Sequence, residues 1–454
     1  MDELVPVLEP VLPRRNRRIG LAAVAFVLVL IGVTALWGVF VLARPAATTV
    51  SPLRLVVVET DGGVAITDAF STAHHAFDSE GRLYQFPAWS PDGTHVAAIG
   101  RLDNVVTVDV FNADPAASGL PRRIYESADR PAFYLYWTPD SQHVTFLTTE
   151  PAPDSIALRI APADASSPSE IVRAAAPLYW DFVDSSRLLL HTGSTGSAAF
   201  TGEVDLEGTS FENDPIESGL FRAPAVGGDG SSRAYVTSAG PNPLDGGTMV
   251  VEARDGSVRH EIPVGGATAF GFDPTSTTLA FIAPDAPTDP PAPIPAGPLR
   301  TVDAGTGEVR TLLDANVLAF FWSPDGQTLA ALDLRPAENI GPGEASRLGR
   351  VATAAALPPL ATTAPGIGLH LTFLDADSGD IRSERDLRLS ELFAFQLLPY
   401  FDQYALSHRF WAPDSSAIVL PLAEDDGLDR VVVIPADGGD PHEVATGWIG
   451  FWTP

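Results

Sequence analysis

Two patterns of apolar residues divide the chain. Residues 19–43 (IGLAAVAFVLVLIGVTALWGVFVLA) carry no charge at all, and at ~1.5 Å per residue such a helix crosses a hydrocarbon core of ~30 Å with some tilt. Beyond Arg44 the apolar residues come in short stretches of strand length, each closing on an aromatic and followed by Ser/Thr/Ala-Pro-Asp-Gly/Ser. Pro sets φ at a turn position, Asp and Ser accept backbone hydrogen bonds and Gly tolerates positive φ, so this segment stops one strand and reverses the chain into the next. The clearest copies lie at 86–100, 133–148, 320–333 and 410–422, with weaker ones at 178–193, 221–238 and 267–283. Each predicts four strands: A ends at the aromatic, B follows the Pro-Asp turn, and C and D form a second hairpin turning at Asp and Gly.

Of the aromatic positions Trp89, Trp137, Trp180, Phe272, Trp322, Trp411 and Trp452, successive ones stand ~40 to 50 residues apart, the range of propeller blades, except where the weak copy at 221–238 lies between Trp180 and Phe272 and the long connection 335–368 between Trp322 and Trp411. This Trp-Ser-Pro-Asp-Gly repeat resembles the TolB-type propeller repeat, also found in the propellers of prolyl-oligopeptidase and dipeptidyl-peptidase-type enzymes. The resemblance covers residues 53–454 and implies an all-β, multi-bladed β-propeller, which the apolar run 19–43 precedes as one N-terminal transmembrane helix. Its residues belong to turns and packing, so it speaks for architecture and not for activity. The aromatic is expected to pack between neighbouring blades, a role that needs bulk rather than chemistry. The chain stops at 447–454 (GWIGFWTP) in a lone strand A, while 53–79 holds strands without one. Joining the two closes the ring at eight blades, or at seven if the copy around Phe221 is not a blade of its own.

Charge changes the picture of the first 52 residues. Arg14, Arg15, Arg17 and Arg18 precede the apolar run and only Arg44 follows it closely, so the positive-inside rule places the tail (1–18) in the cytoplasm and the propeller outside, tethered through 44–52. A bacterial cell envelope is the expected location. The rival reading, a signal peptide cleaved within 43–47, needs an apolar region of only ~7 to 15 residues. The formal net charge of −29 repels nucleic acid phosphates, which argues against a nucleic-acid partner. The chain has no Cys, which excludes disulfides, thiolate metal sites and cysteine nucleophiles.

In a four-stranded up-and-down blade, A–B and C–D turns share one face and B–C and D–A connections share the other. The Pro-Asp face is uniformly short. The long connections 284–298, 335–368 and 389–404 all fall on the opposite face, where they predict a cap over the mouth of the ring. Tyr400, Phe401, Tyr404 and His408 supply that cap with groups that interfaces favour, and they are the candidate interaction face. The alternative is that 389–404 merely pins itself to the propeller.

Nothing in the sequence points to catalysis, a cofactor or a metal. Gly-x-Ser-x-Gly is absent. The run Asp375-x-Asp377-x-x-Asp380 occupies a C–D turn, where turn chemistry accounts for it. Glu424, Asp425, Asp426 and Asp429 read as a solvated loop. The expected function is a non-enzymatic module that docks a protein or peptide partner at its elaborated face, as the resemblance to envelope-complex partners implies. The alternatives are an enzyme or small-molecule sensor at the channel mouth, which needs several polar side chains converging there from different blades, and a scaffold subunit of a membrane complex.

Overall fold

The computed structural model describes residues 53–454 except 72, 118, 152–154, 194–199, 212–218, 240–245, 289–291, 293 and 335–366. The predicted tail, span and linker (1–52) and most of the loop at 335–368 lie outside the described residues. Among the described residues no helix is long and apolar enough to cross a membrane.

The strand pairings fall into eight successive antiparallel sets, taken here as blades 1 to 8. Blade 2 runs Leu83–Trp89, His95–Leu102, Val105–Asn112 and Arg122–Ser127. Blade 3 follows with Ala132–Trp137, His143–Thr149, Ile156–Pro162 and Glu170–Ala175. Blade 4 has three described strands, Leu178–Asp184, Arg187–Thr192 and Phe200–Asp205. The weak copy around Phe221 leads into a set of its own, Ala225–Val226, Ser232–Ser238, Gly247–Ala253 and Arg259–Val264. Two long strands each serve two blades: Val309–Trp322 is strand D of blade 6 and then A of blade 7, and His442–Trp452 is D of blade 8 and then A of blade 1. The second of these closes the ring, because residues 447–452 pair with Arg54–Glu59 near the start of the described chain.

The Pro-Asp turn is built the same way in three copies. The Ser90 hydroxyl donates to Asp92 at 2.6 Å and accepts the His95 amide at 3.0 Å; Thr138 does this with Asp140 and His143, and Ser323 with Asp325 and Thr328. Each Asp also accepts the amide two residues on at 3.0 Å. The next turn position has positive φ, held by Gly93 (68°) and Gly326 (71°) but also by Ser141 (61°) and Ser415 (62°). The serines tolerate this strained conformation because each hydroxyl accepts an amide from the preceding blade, Asp92 to Ser141 and Asp325 to Ser415, both at 3.1 Å.

The blade aromatics contribute chemistry as well as bulk. The indole N–H of Trp89, Trp137, Trp322 and Trp411 donates to Phe451, Ala88, Gly271 and Phe321 at 3.0–3.2 Å. Each acceptor carbonyl sits one residue before the equivalent aromatic of the preceding blade. Trp452 and Trp180 depart from this pattern, the indole N–H of each being buried without a partner, and in Trp180 the register differs as well. At Trp89, Trp137, Phe272, Trp322 and Trp411 the aromatic pairs with the residue seven positions on, as Trp137 with Val144, whereas Trp180 pairs with Leu190. Phe182, paired with Leu188 across a tighter hairpin, holds the aromatic's place in blade 4, and the buried Trp180 indole N–H has no partner.

Candidate functional site

The connection between blades 7 and 8 does not cap the ring. It leaves Ile381–Leu389 as helical turns, Phe393–Leu397 and Leu398–Tyr400, continues as the short α-helix Phe401–Ser407, and becomes strand-like again only at Trp411, bridged to Ile418. Because strand A of blade 8 is reduced to that bridge, Leu389 of blade 7 pairs directly with Leu422 of blade 8. The rest of the segment runs down the axis as a plug from the elaborated face to the Pro-Asp face.

The plug touches the inner strands of blade after blade. Phe401 packs edge-on against Phe320 and Phe321 of blade 7. Tyr404 lies against Phe86 of blade 2 and Tyr134 of blade 3. His408 lies against Phe451 of blade 1 at 4.5 Å, and its Nε2 is 3.3 Å from the Phe86 carbonyl. Polar anchors fix the register. The Gln403 side chain accepts the Trp180 amide (3.2 Å) and donates to the Trp180 carbonyl (3.0 Å), in the manner of a strand partner for blade 4. The Tyr134 hydroxyl donates to the Gln403 carbonyl at 2.9 Å and lies 2.8 Å from the Ser407 hydroxyl. The buried Asp402 carboxylate accepts the Ala223 amide at 3.1 Å ahead of blade 5. Burial raises its pKa, and the Arg222 guanidinium works against that rise.

The candidate interaction face is therefore corrected. Phe401, Tyr404 and His408 are 3%, 6% and 3% exposed, and only Tyr400, at 41%, reaches solvent. Phe401 and Tyr404 carry the apolar surface that fills the axis, and His408 is desolvated so fully that its pKa falls to about 3, which keeps the ring neutral. Tyr400 seals the upper mouth with Arg222, whose guanidinium stacks 4.6 Å from its ring. Beside them the buried His191 lies flat on Phe221, with ring centroids 3.8 Å apart, and its Nδ1 is 3.0 Å from the Arg222 carbonyl.

Two polar groups that the repeat pattern did not single out meet toward the lower end of the axis. Asp181 of blade 4 is buried, accepting the Phe182 and Val226 amides at 2.8 Å and the Tyr136 hydroxyl of blade 3 at 3.4 Å. Burial outweighs those bonds and raises its pKa to about 7. Arg409 follows the plug, exposed, with its carbonyl accepting the Trp452 amide at 2.9 Å. One signal was present in the sequence: Arg409 stands two residues before its Trp, where other copies have Pro87, Leu135, Phe320 and Gly450.

Three carboxylates of the acidic motifs are held by turn amides or arginines. Asp375 accepts the Asp377 and Ser378 amides and pairs with Arg382 at 2.7 Å, which holds its pKa down to about 2. Asp425 pairs with Arg388 and Asp426 with Arg430.

No protein-family model matches the chain, and no curated protein matches it. Among solved structures it is similar to oligogalacturonate lyase in complex with manganese (10% identity, 85% of this chain and 84% of that one, TM-score 0.45). It is similar also to TolB from Acinetobacter baumannii (13% identity, 89% and 83%, TM-score 0.38). A third is the β-propeller domain of the Trilobed protease from Pyrococcus furiosus (11% identity, 60% and 82%, TM-score 0.39). Over most of its length the chain is similar in structure to TolB and to other β-propeller proteins.

Proposed function

We propose that this chain is a membrane-anchored, eight-bladed propeller of the bacterial cell envelope, held by residues 19–43 and acting as a non-enzymatic docking module for a protein or peptide. The observation that carries this reading is the filled axis. Tyr404, Phe401 and His408 occupy the place where a propeller enzyme would hold its substrate, so binding is left to the rim of the elaborated face. The strand order assigns the connections 284–298 and 335–368 to that rim, and most of the second lies outside the described residues. The chain enters the propeller at Arg54, on strand B of blade 1 and at the Pro-Asp face, where the Thr453 amide donates to the Arg54 carbonyl.

The test is affinity capture with detergent-solubilised protein from envelopes of its own host, compared with a variant whose 284–298 and 335–368 segments are shortened to turns while the plug is kept. A partner retained by the wild type and lost by the folded variant supports the reading; the same partners on both would remove the rim from it. A second reading, a small-molecule sensor, is favoured by one observation, the buried Asp181 bonded to the Tyr136 hydroxyl of the next blade toward the opposite mouth.

A further inference from the structure

The large apolar side chains left exposed among the described residues are not shared evenly between the two ends of the propeller. Phe70 lies in the C–D turn of blade 1, between Val64–Asp68 and His74–Ala76, and Leu120 in that of blade 2. Phe211 follows the C–D turn of blade 4, and Ile171, Val309 and Ile381 stand at the start of strand D in blades 3, 6 and 7. All six are at the Pro-Asp end. Phe70 is 66% exposed and Leu120 59%, whereas the most exposed at the opposite end, Leu428, reaches 46%. Single exposed apolar residues are ordinary; the gathering of the five most exposed at one end is what needs a cause. Leu120, Val309 and Ile381 are also each followed within two residues by an exposed arginine, Arg122, Arg310 and Arg382. The chain enters at this end too. The Leu53 carbonyl accepts the Ala69 amide at 2.8 Å, beside Phe70, and the Arg54 guanidinium donates to the Ala113 carbonyl at 3.4 Å, where the turn that carries Leu120 begins.

We infer that the Pro-Asp face of the propeller lies on a phospholipid surface, with Phe70 and Leu120 entering the boundary between headgroups and acyl chains; this rests on the reading that residues 19–43 anchor the chain. Side chains standing one to a blade around most of a ring are covered together by a single flat surface that spans the ring, and a bilayer is such a surface. Its interface takes both halves of the pattern: apolar side chains enter the acyl boundary, and arginines beside them donate to headgroup phosphates. Residues 44–52 separate the uncharged run from Leu53, and nine residues span at most ~30 Å when fully extended. A tether of that length keeps the local concentration of lipid high, so contacts that are weak one by one hold the face in place. The formal net charge of −29 is repelled by an anionic surface, which makes zwitterionic phospholipid the occupant.

Because the chain has no Cys, a single Cys substitution carries a nitroxide label to one defined place. The full-length protein is reconstituted in phosphatidylcholine vesicles with the label on Phe70→Cys, on Leu120→Cys, on Leu428→Cys at the opposite end, or on Ile31→Cys within the apolar run. Collisions of the label with oxygen, which concentrates in lipid, are compared with collisions with a water-soluble nickel chelate. The expected result is an oxygen-to-nickel ratio several-fold higher at positions 70 and 120 than at 428, and lower at both in phosphatidylglycerol vesicles. If position 31 is immersed while 70 and 120 match 428, the anchor stands and the lipid contact of this face is overturned. If position 31 matches 428 as well, the anchored reading fails and the proposal fails with it. Shielding of 70 and 120 from oxygen and nickel alike marks a face covered by a second copy of this chain, and a higher ratio in phosphatidylglycerol marks an anionic lipid; either overturns the assignment.

Discussion

At the scale of single residues, the repeat's aromatics are not interchangeable. The Trp137 indole N–H reaches the Ala88 carbonyl of the neighbouring blade, whereas the Trp180 indole N–H reaches nothing. A buried hydrogen bond contributes ~1 kcal/mol net, and leaving its partner unsatisfied costs ~1–3 kcal/mol. Trp137→Phe is therefore expected to lower the denaturant midpoint clearly more than Trp180→Phe, and equal losses would mean that bulk alone matters. Asp181 makes a pH prediction. Its folded pKa of about 7 lies above its ordinary value of 3.8, so the unfolded chain releases this proton first as pH rises. The stability it contributes is complete below pH ~4 and is lost by the time pH passes 7, by at most ~4 kcal/mol at ~1.4 kcal/mol for each tenfold change in proton affinity. Asp181→Asn should flatten that part of the stability curve; an unchanged slope between pH 4 and 8 would show that Asp181 titrates normally.

At the scale of elements, the strand pattern was plain in the sequence and the plug was not. Short apolar stretches and Pro-Asp turns have a period and a turn chemistry that mark strands one by one, including the split blade at the two ends of 53–454. Residues 389–404 carry apolar groups all round, Phe393, Phe395 and Leu397 before Phe401 and Tyr404. A segment apolar on every side is buried on every side, but no local pattern says whether it is buried over the mouth or inside it. The aromatic spacing misled at Trp180 for a related reason: a shorter hairpin moved the register, and a Trp nearby made the displacement invisible. Within the plug, Phe401→Ala should cost ~3–5 kcal/mol as a buried aromatic truncation, whereas Tyr400→Ala, at the exposed seal, should cost far less. Chemical denaturation of both variants checks this, and comparable costs would contradict the burial order along the plug.

At the scale of the whole molecule, the ring depends on two long-range joins: residues 447–452 paired with Arg54–Glu59, and the plug tied to the inner strands around it. Because both draw on residues distant in sequence, removing either should affect the whole propeller and not one blade. Deleting residues 447–454 exposes the edge of Arg54–Glu59 and is expected to abolish a single cooperative unfolding transition; a truncated protein that still unfolds in one step near the wild-type midpoint would show that closure is dispensable. The central claim is that the axis is filled by the chain itself. Amide hydrogen exchange across 401–408 tests it most directly. The His408 amide donates to the Tyr404 carbonyl at 2.8 Å inside the ring, so these amides should exchange as slowly as those of the inner strands Leu83–Trp89 and Ala132–Trp137. Exchange there as fast as in the exposed B–C turns would mean that the plug leaves the axis readily, and the channel would return as a site for a substrate.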